Sequence, residues 1–264
     1  MSIIMKQTGA LEYEVSDTIT VPHCFTTRFG GVSTGIFDSL NLACHRGDSE
    51  ENVAQNFQIL GAALGFSLEN VVLTRQTHTD IVRQVTDADH LGLDHHQYPE
   101  CDGLITNTPG VTLVVFTADC TPILLHDPIT GAVGAVHAGW RGTAANIAGK
   151  AVCAMCDAYG CDAANIRAAI GPNIAQCCFA TDADVPLAMR NALGDKALPH
   201  IRTIGSKHYV NLKAINAQFL RNAGVEHIDL SDSCTMCQPH RFWSHRVTKG
   251  NRGSQGAIIV CKEG

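Results

Sequence analysis

Apolar positions along this chain fall into short runs bounded by turn residues, with helical spacing in a few stretches. The most apolar run, Val111 to Phe116, is uninterrupted and predicts a strand buried on both faces. Two more runs, Pro122 to Leu125 and Ala132 to Val136, flank Asp127-Pro128-Ile129-Thr130-Gly131 and predict a β-hairpin. Thr18 to Phe29 reads as a strand feeding a glycine-rich loop. Val71 to Asp80 reads as a strand running into polar residues, with Ile81 to Val85 as its return partner. Shorter strands are expected at Ile166 to Ile170, Ile228 to Leu230 and Ala257 to Cys261. Apolar residues at helical spacing, Val53, Phe57, Leu60 and Leu64, predict a helix over Asn52 to Leu64. Thr143 to Tyr159, Asp182 to Leu193 and Val210 to Ala223 are the other predicted helices. Between them Thr86 to Cys101, with His90, His95 and His96, reads as a solvated loop. Strands and helices mix without repeat or linker, so the expected fold is α/β: one compact domain over residues 1–264, with a mixed sheet core and flanking helices.

The hairpin carries the most specific chemistry. Cys120 precedes its first run and His137 follows its second, and an antiparallel return of that length brings a thiol and an imidazole side by side. Asp119 and the segment Ala138-Gly139-Trp140-Arg141-Gly142 flank the pair, joining small residues to one cation and one flat aromatic. A second candidate lies at Arg28, Gly30, Gly31, Ser33 and Thr34, where open amides beside an arginine suit a phosphate or stand as an ordinary surface turn. His78 falls where its strand gives way to a loop, a position as ordinary for a surface histidine as for a ligand.

Twelve cysteines and thirteen histidines raise the prospect of a thiophilic metal. Cys153 and Cys156 share a helix face and read mainly as packing, while Cys234 and Cys237 form a second CxxC. The adjacent Cys177 and Cys178 point oppositely if the chain there is extended, so they are not expected to face one site. A net charge of −6 with scattered basic residues argues against a nucleic-acid or anionic-membrane surface. No secretory pattern opens the sequence and no apolar run approaches membrane-spanning length, so a reducing cytoplasm is the expected setting. HExxH, GxSxG, the GxxxxGK[ST] loop, a dinucleotide fingerprint and the HxE with PCxxC of zinc deaminases are all missing from the sequence.

Taken together, TTRFGGVS (26–33), RQTH (75–78), CDGLIT (101–106), TADCTPILL (117–125), VHAGWRGT (136–143), GPNI with the cysteine pair (171–178) and FWSHR (242–246) resemble the YfiH family. That family is also called the multicopper polyphenol oxidase laccase-domain family and includes FAMIN-like purine nucleoside phosphorylases. The resemblance implies a zinc ion on His78, Cys120 and His137, with an open fourth position. Copper is a second candidate for the same donors. The sequence departs from the pattern at Thr79, at Asn173 and at Val247, which follows a single Arg246; Arg252 stands as a candidate for the lost cation.

The activity implied is phosphorolysis of adenosine, inosine and S-methyl-5′-thioadenosine to base and (methylthio)ribose 1-phosphate, with adenosine deamination by metal-bound water. Inorganic phosphate is then the co-substrate and a purine nucleoside the small-molecule partner. Arg28 is expected to act in catalysis with Gly30, Gly31 and Ser33 on phosphate, while Asn41 steadies the base and Asp119 and Arg141 line the substrate site. Three other functions stay open at this stage: a copper-dependent polyphenol oxidase, an amidohydrolase editing a peptidoglycan precursor, and a non-enzymatic metal store using Cys153, Cys156, Cys234 and Cys237. The sequence leaves the oligomeric state open.

Overall fold

A computed structural model describes residues 3–262. Its first half contains β1 (Ile3–Thr8), β2 (Leu11–Ser16), β3 (His23–Thr26), α1 (Glu50–Leu64), β4 (Val71–Leu73), β5 (Val82–Gln84), β6 (Gly103–Thr106), β7 (Thr112–Thr117) and β8 (Thr121–His126). Next come β9 (Val133–Ala138), α2 (Trp140–Ala144), α3 (Ile147–Tyr159), β10 (Arg167–Ile170), β11 (Ala180–Thr181) and α4 (Asp184–Leu193). The chain closes with β12 (Ile201–Ile204), β13 (Lys207–Val210), α5 (Leu212–Asn222), β14 (His227–Leu230), α6 (His245–Thr248) and β15 (Gln255–Val260). Two six-stranded mixed sheets run β1-β2-β3-β15-β7-β4 and β14-β10-β8-β9-β6-β5, beside a small sheet β11-β13-β12.

Strand alternation shows how the layers stack. Leu104, Leu124, Ala135 and Ala169 of the second sheet join β7 and β15 of the first sheet in one apolar core. Their neighbours Ile105, Ile123, Leu125, Val136, Ala168 and Ile170 join residues of α3 and α5 in another. Successive side chains of one strand thus enter two cores, which is why these strands read as continuous apolar runs. The first sheet also packs against Val53, Phe57 and Leu60 of α1. That helix starts where the Ser49 side chain accepts the Asn52 amide and stops at the left-handed Gly65.

The structure corrects several expectations. Ile81 to Val85 does not return against Val71 to Asp80: β4 pairs parallel with β7 in one sheet and β5 parallel with β6 in the other. Polar side chains carry the crossing between them, for Gln76 exchanges two 2.7 Å hydrogen bonds with the backbone of Phe116 where a further ladder residue would sit. Thr86 to Cys101 is largely exposed or half-buried, as a solvated loop would be, but it is pinned to the core at its C-terminal end. Tyr98 within it is buried, accepting from the Leu91 amide at 2.9 Å and donating to the Gly92 carbonyl at 2.8 Å. The predicted helix at Thr143 is instead two helices, α2 and α3, separated at Asn146, whose left-handed backbone lets its side chain cap α3. The strand expected over Thr18 to Phe29 contracts to β3, with single backbone bonds from Thr27 to Glu12 and from Val260 to Pro22 at its two ends.

Candidate metal centre and its cleft

Register places the first two chemical groups. In the β8–β9 ladder His137 lies opposite Pro122 and Ala138 opposite Thr121, so Cys120, one residue before β8, reaches the same rim. His78 arrives from the β4–β5 crossing, on a residue with a left-handed φ of 62°. One ligand atom each of His78, Cys120 and His137 lies within 4.8 Å of the other two. The two imidazole rings sit edge to face with centroids 5.1 Å apart. Gly139 permits this convergence, since a side-chain carbon there would collide with the His78 imidazole and touch the Cys120 sulfur.

Asp102 organises the corner. Its carboxylate accepts the backbone amides of Thr77 at 3.3 Å, His78 at 3.2 Å and Thr79 at 2.7 Å, and the Thr79 hydroxyl at 2.8 Å. Thr79, a departure from the family pattern, therefore adds a bond to the anchor. The carboxylate also accepts from His137 Nδ1 at 2.7 Å. Burial opposes ionisation of Asp102, yet His137 and the Thr79 donors hold its carboxyl below the usual range. An ionised carboxylate can only accept, so Nδ1 of His137 carries the proton and Nε2 is left as a ligand atom. Burial likewise opposes protonation of His137, but Cys120 and Asp102 outweigh it and push the imidazole up to about 9. For His78, burial and the neighbouring His137 and Arg141 lower proton affinity against the pull of Asp102. Two nitrogens and one soft sulfur, with a carboxylate orienting one ring, match the donor set of a catalytic zinc site.

A cleft opens from this corner, lined by Gln76, His95, Phe116, Thr117, Arg46, Arg252 and Ser254 besides the three donors. Arg252 is 9% exposed, and its Nη1 donates to Ser254 Oγ at 2.7 Å and the Gly253 carbonyl at 2.8 Å. Its Nε is buried with no protein acceptor among the described residues. Burial and the nearby Arg46 lower the Arg252 guanidinium to about 10, and burial also lowers Arg46. Two cations lining one cleft form a place for an anion. His95, lowered to about 4 by burial and His96, is neutral at pH 7 and packs edge-on to Phe116 at 5.8 Å.

The residues expected to bind phosphate lie elsewhere. Arg28 is stacked 3.9 Å over Trp243, with Nε and Nη2 donating to the Asp38 carbonyl and Nη1 to the Pro239 carbonyl. The Gly30 and Gly31 amides donate to Ser39 Oγ, and Ser33 donates to Asp48. Asn41 is fully buried, bonded to Asp48, Ala43 and Ser254. This glycine loop is an internal brace: the Arg28 guanidinium, both glycine amides and the Ser33 hydroxyl have protein acceptors, while Thr34 stays exposed. Asp119 is also turned inward: its carboxylate accepts from Thr235 Oγ1 at 2.6 Å and the Arg246 amide at 2.7 Å. Arg141 stacks 4.2 Å from the Trp140 ring centre and remains exposed near His78. Of the expected cations Arg252 faces the cleft, whereas Arg246 donates to the Ala180 carbonyl. Sequence spacing does not single out Asp102 or Arg46; for Asp102 the available signal was a carboxylate at the mouth of the apolar strand Gly103–Thr106.

A mixed α/β scaffold with a two-histidine, one-cysteine corner at the rim of its second sheet defines a small-molecule site suited to a soft metal. The chain belongs to the family described as multi-copper polyphenol oxidoreductase laccase, which matches residues 22–262. It is 38% identical over 245 residues to "Purine nucleoside phosphorylase YlmD" of Geobacillus stearothermophilus, covering 90% of this chain and 89% of that protein. The crystal structure of YlmD from the same organism superposes with a TM-score of 0.92 at 34% identity, over 99% of this chain and 100% of that one. A Bacillus licheniformis hypothetical protein YfiH superposes with a TM-score of 0.90 at 34% identity, over 98% and 99% of the two chains. The expected YfiH-like α/β fold is therefore the one observed.

Proposed function

We propose that this protein is a purine nucleoside phosphorylase acting on adenosine, inosine and S-methyl-5′-thioadenosine, with adenosine deamination as a second activity of the same cleft. The printed names of its relatives support the reaction class. The observation that carries the reading is the arrangement of the cleft: a His78–Cys120–His137 corner and the Arg46–Arg252 pair line one space. His78, Cys120 and His137 would hold zinc, which when bound supplies a Lewis acid beside the substrate.

Phosphorolysis joins a phosphate oxygen to C1′ of the ribose as the C1′–N9 bond breaks, and the electron pair leaves with the purine, which takes up a proton. Arg252 and Arg46, which line the cleft, would hold the phosphate and keep its charge close to the developing positive carbon. Phe116 and the neutral His95 offer flat surfaces for the base. Asp102 keeps His137 in one tautomer throughout. Copper-dependent oxidation of phenols is the weaker reading. Among the described residues, groups of three or more clustered His, Cys or acidic ligands number two, and one of them contains no imidazole, so a set of histidine-ligated coppers for four-electron oxygen reduction is not assembled.

The test is incubation of zinc-loaded protein with adenosine, with and without inorganic phosphate, and separation of adenine from inosine. Adenine with ribose 1-phosphate, formed only when phosphate is present, is the expected result. No base release from adenosine, inosine or methylthioadenosine would overturn the proposal, and phenol oxidation on copper loading would replace it.

A further inference from the structure

Four cysteines that the cleft does not use meet on the opposite side of Asp119. Cys177, Cys178, Cys234 and Cys237 have their sulfurs all within 4.8 Å of one another. The adjacent pair faces one point after all, because residues 176–178 form a turn and not the extended chain expected of them. Sulfur separations are 3.6 Å for Cys177–Cys178, 3.8 Å for Cys177–Cys234, 3.6 Å for Cys177–Cys237 and 3.4 Å for Cys178–Cys237. A tetrahedral zinc ion at about 2.3 Å from each sulfur sets those sulfurs about 3.8 Å apart. The cluster is close to that size before any ion is added.

From this geometry we infer that the four cysteines form a second, structural zinc site, distinct from the His78–Cys120–His137 corner. Four thiolates and no carboxylate or imidazole select a thiophilic tetrahedral cation and leave no open position for substrate. Burial and the neighbouring thiols raise Cys177 and Cys178 in the metal-free chain, whereas Cys234 is lowered and two groups favour its thiolate. The Ala175 amide donates to the Cys234 sulfur at 3.3 Å, and the buried Lys213 lies in the field of Cys234 and Cys177 while donating to the carbonyls of Ser231 and Ser233. Cys153 and Cys156, the pair on α3, gather no third ligand among the described residues, so a multi-ion store is not built around them.

The ion would fasten together two segments that hold the catalytic thiol in place. Asn173 and Cys234 already form a parallel bridge, and the Thr235 amide donates to the Asn173 carbonyl at 3.0 Å. Both segments then grip Asp119: the Ile174 amide donates to its carbonyl at 2.9 Å and Thr235 Oγ1 to its carboxylate at 2.6 Å. Asp119 has a left-handed φ of 87° immediately before Cys120, a conformation that surrounding bonds must maintain. The four-cysteine knot is thus a clamp on the residue that aims Cys120 into the cleft.

Metal analysis of the full chain purified under reducing conditions tests the inference. Parent protein is expected to carry two zinc ions. Cys237→Ser and, independently, Cys178→Ser should each retain one, and Cys120→Ser should retain one by losing the other. Cobalt(II) loading separates the sites by chemistry. The larger part of the near-ultraviolet thiolate-to-cobalt absorption should vanish in Cys237→Ser and persist in Cys120→Ser. Because Cys237 and Cys178 are at or near the surface, circular dichroism should show both variants folded. Unchanged metal content in both variants, iron in place of zinc, or a disulfide among the four cysteines in reduced preparations would overturn it.

Discussion

Two regions of this molecule offer an arginine beside glycines and small polar residues, and they differ in what their donors touch. Around Arg28 every guanidinium nitrogen and both glycine amides meet a protein acceptor, and the side chain lies flat on Trp243. Arg252 is the more deeply buried of the two, its Nε has no acceptor among the described residues, and a second arginine, Arg46, lines the same cleft. The difference teaches that residue type and loop composition do not identify an anion site; paired cations lining one cleft do. The metal corner shows the same contrast with the cysteine knot. One gathers mixed donors at the end of a cleft, and the other gathers sulfur alone near the surface.

The largest effect should come from removing a donor at the corner. His137→Ala leaves Asp102 buried without its ring partner and strips a ligand, so phosphorolysis should fall by roughly 10³-fold or more. Steady-state rates with adenosine and saturating phosphate check this. A pH titration of zinc affinity reports the electrostatics of the same corner. In the metal-free protein His137 keeps its proton to about 9, above the value of about 6.5 for a free imidazole. Zinc must displace that proton, so affinity should rise at least about tenfold per pH unit from pH 7 and level off above about 9. The sign is opposite for the stability of the metal-free chain. The His137 contribution is fully present below the unfolded value and is lost as pH rises through about 9, as thermal melts at several pH values would show.

Asp102→Asn preserves shape but removes the carboxylate that fixes the ring, and zinc affinity should drop about 10–100-fold. Competition with a chelating dye measures it. Arg28→Ala should act on stability alone. Loss of bonds to the Asp38 and Pro239 carbonyls and of the Trp243 stack costs about 2 kcal/mol, a fall of roughly 5 °C in melting temperature.

Much of this architecture was legible in the residues, for reasons that vary with position. Hydrophobic runs revealed β7, β8 and β9 because both faces of those strands are buried, and the turn at 127–131 fixed the hairpin that pairs Cys120 with His137. Helix α1 was readable from its one-sided spacing, although it starts at Glu50, two residues before the expected Asn52. The crossing from β4 to β5 was not, because Gln76 and Asp102 replace ladder bonds with side-chain bonds that leave no periodic mark. For the same reason the anchoring role of Asp102 and the inward commitment of Arg28 emerge only when distant segments are seen together. The convergence of Cys177 and Cys178 depended on a tight turn that an extended reading of CCF excluded.

Phosphate saturation curves for Arg252→Ala and Arg28→Ala, measured side by side with the parent, test the anion site most directly. Loss of a charged hydrogen bond worth about 1.5–3 kcal/mol should raise the phosphate KM of Arg252→Ala about 10–100-fold, with that of Arg28→Ala unchanged. A raised phosphate KM in Arg28→Ala with a normal one in Arg252→Ala would contradict it.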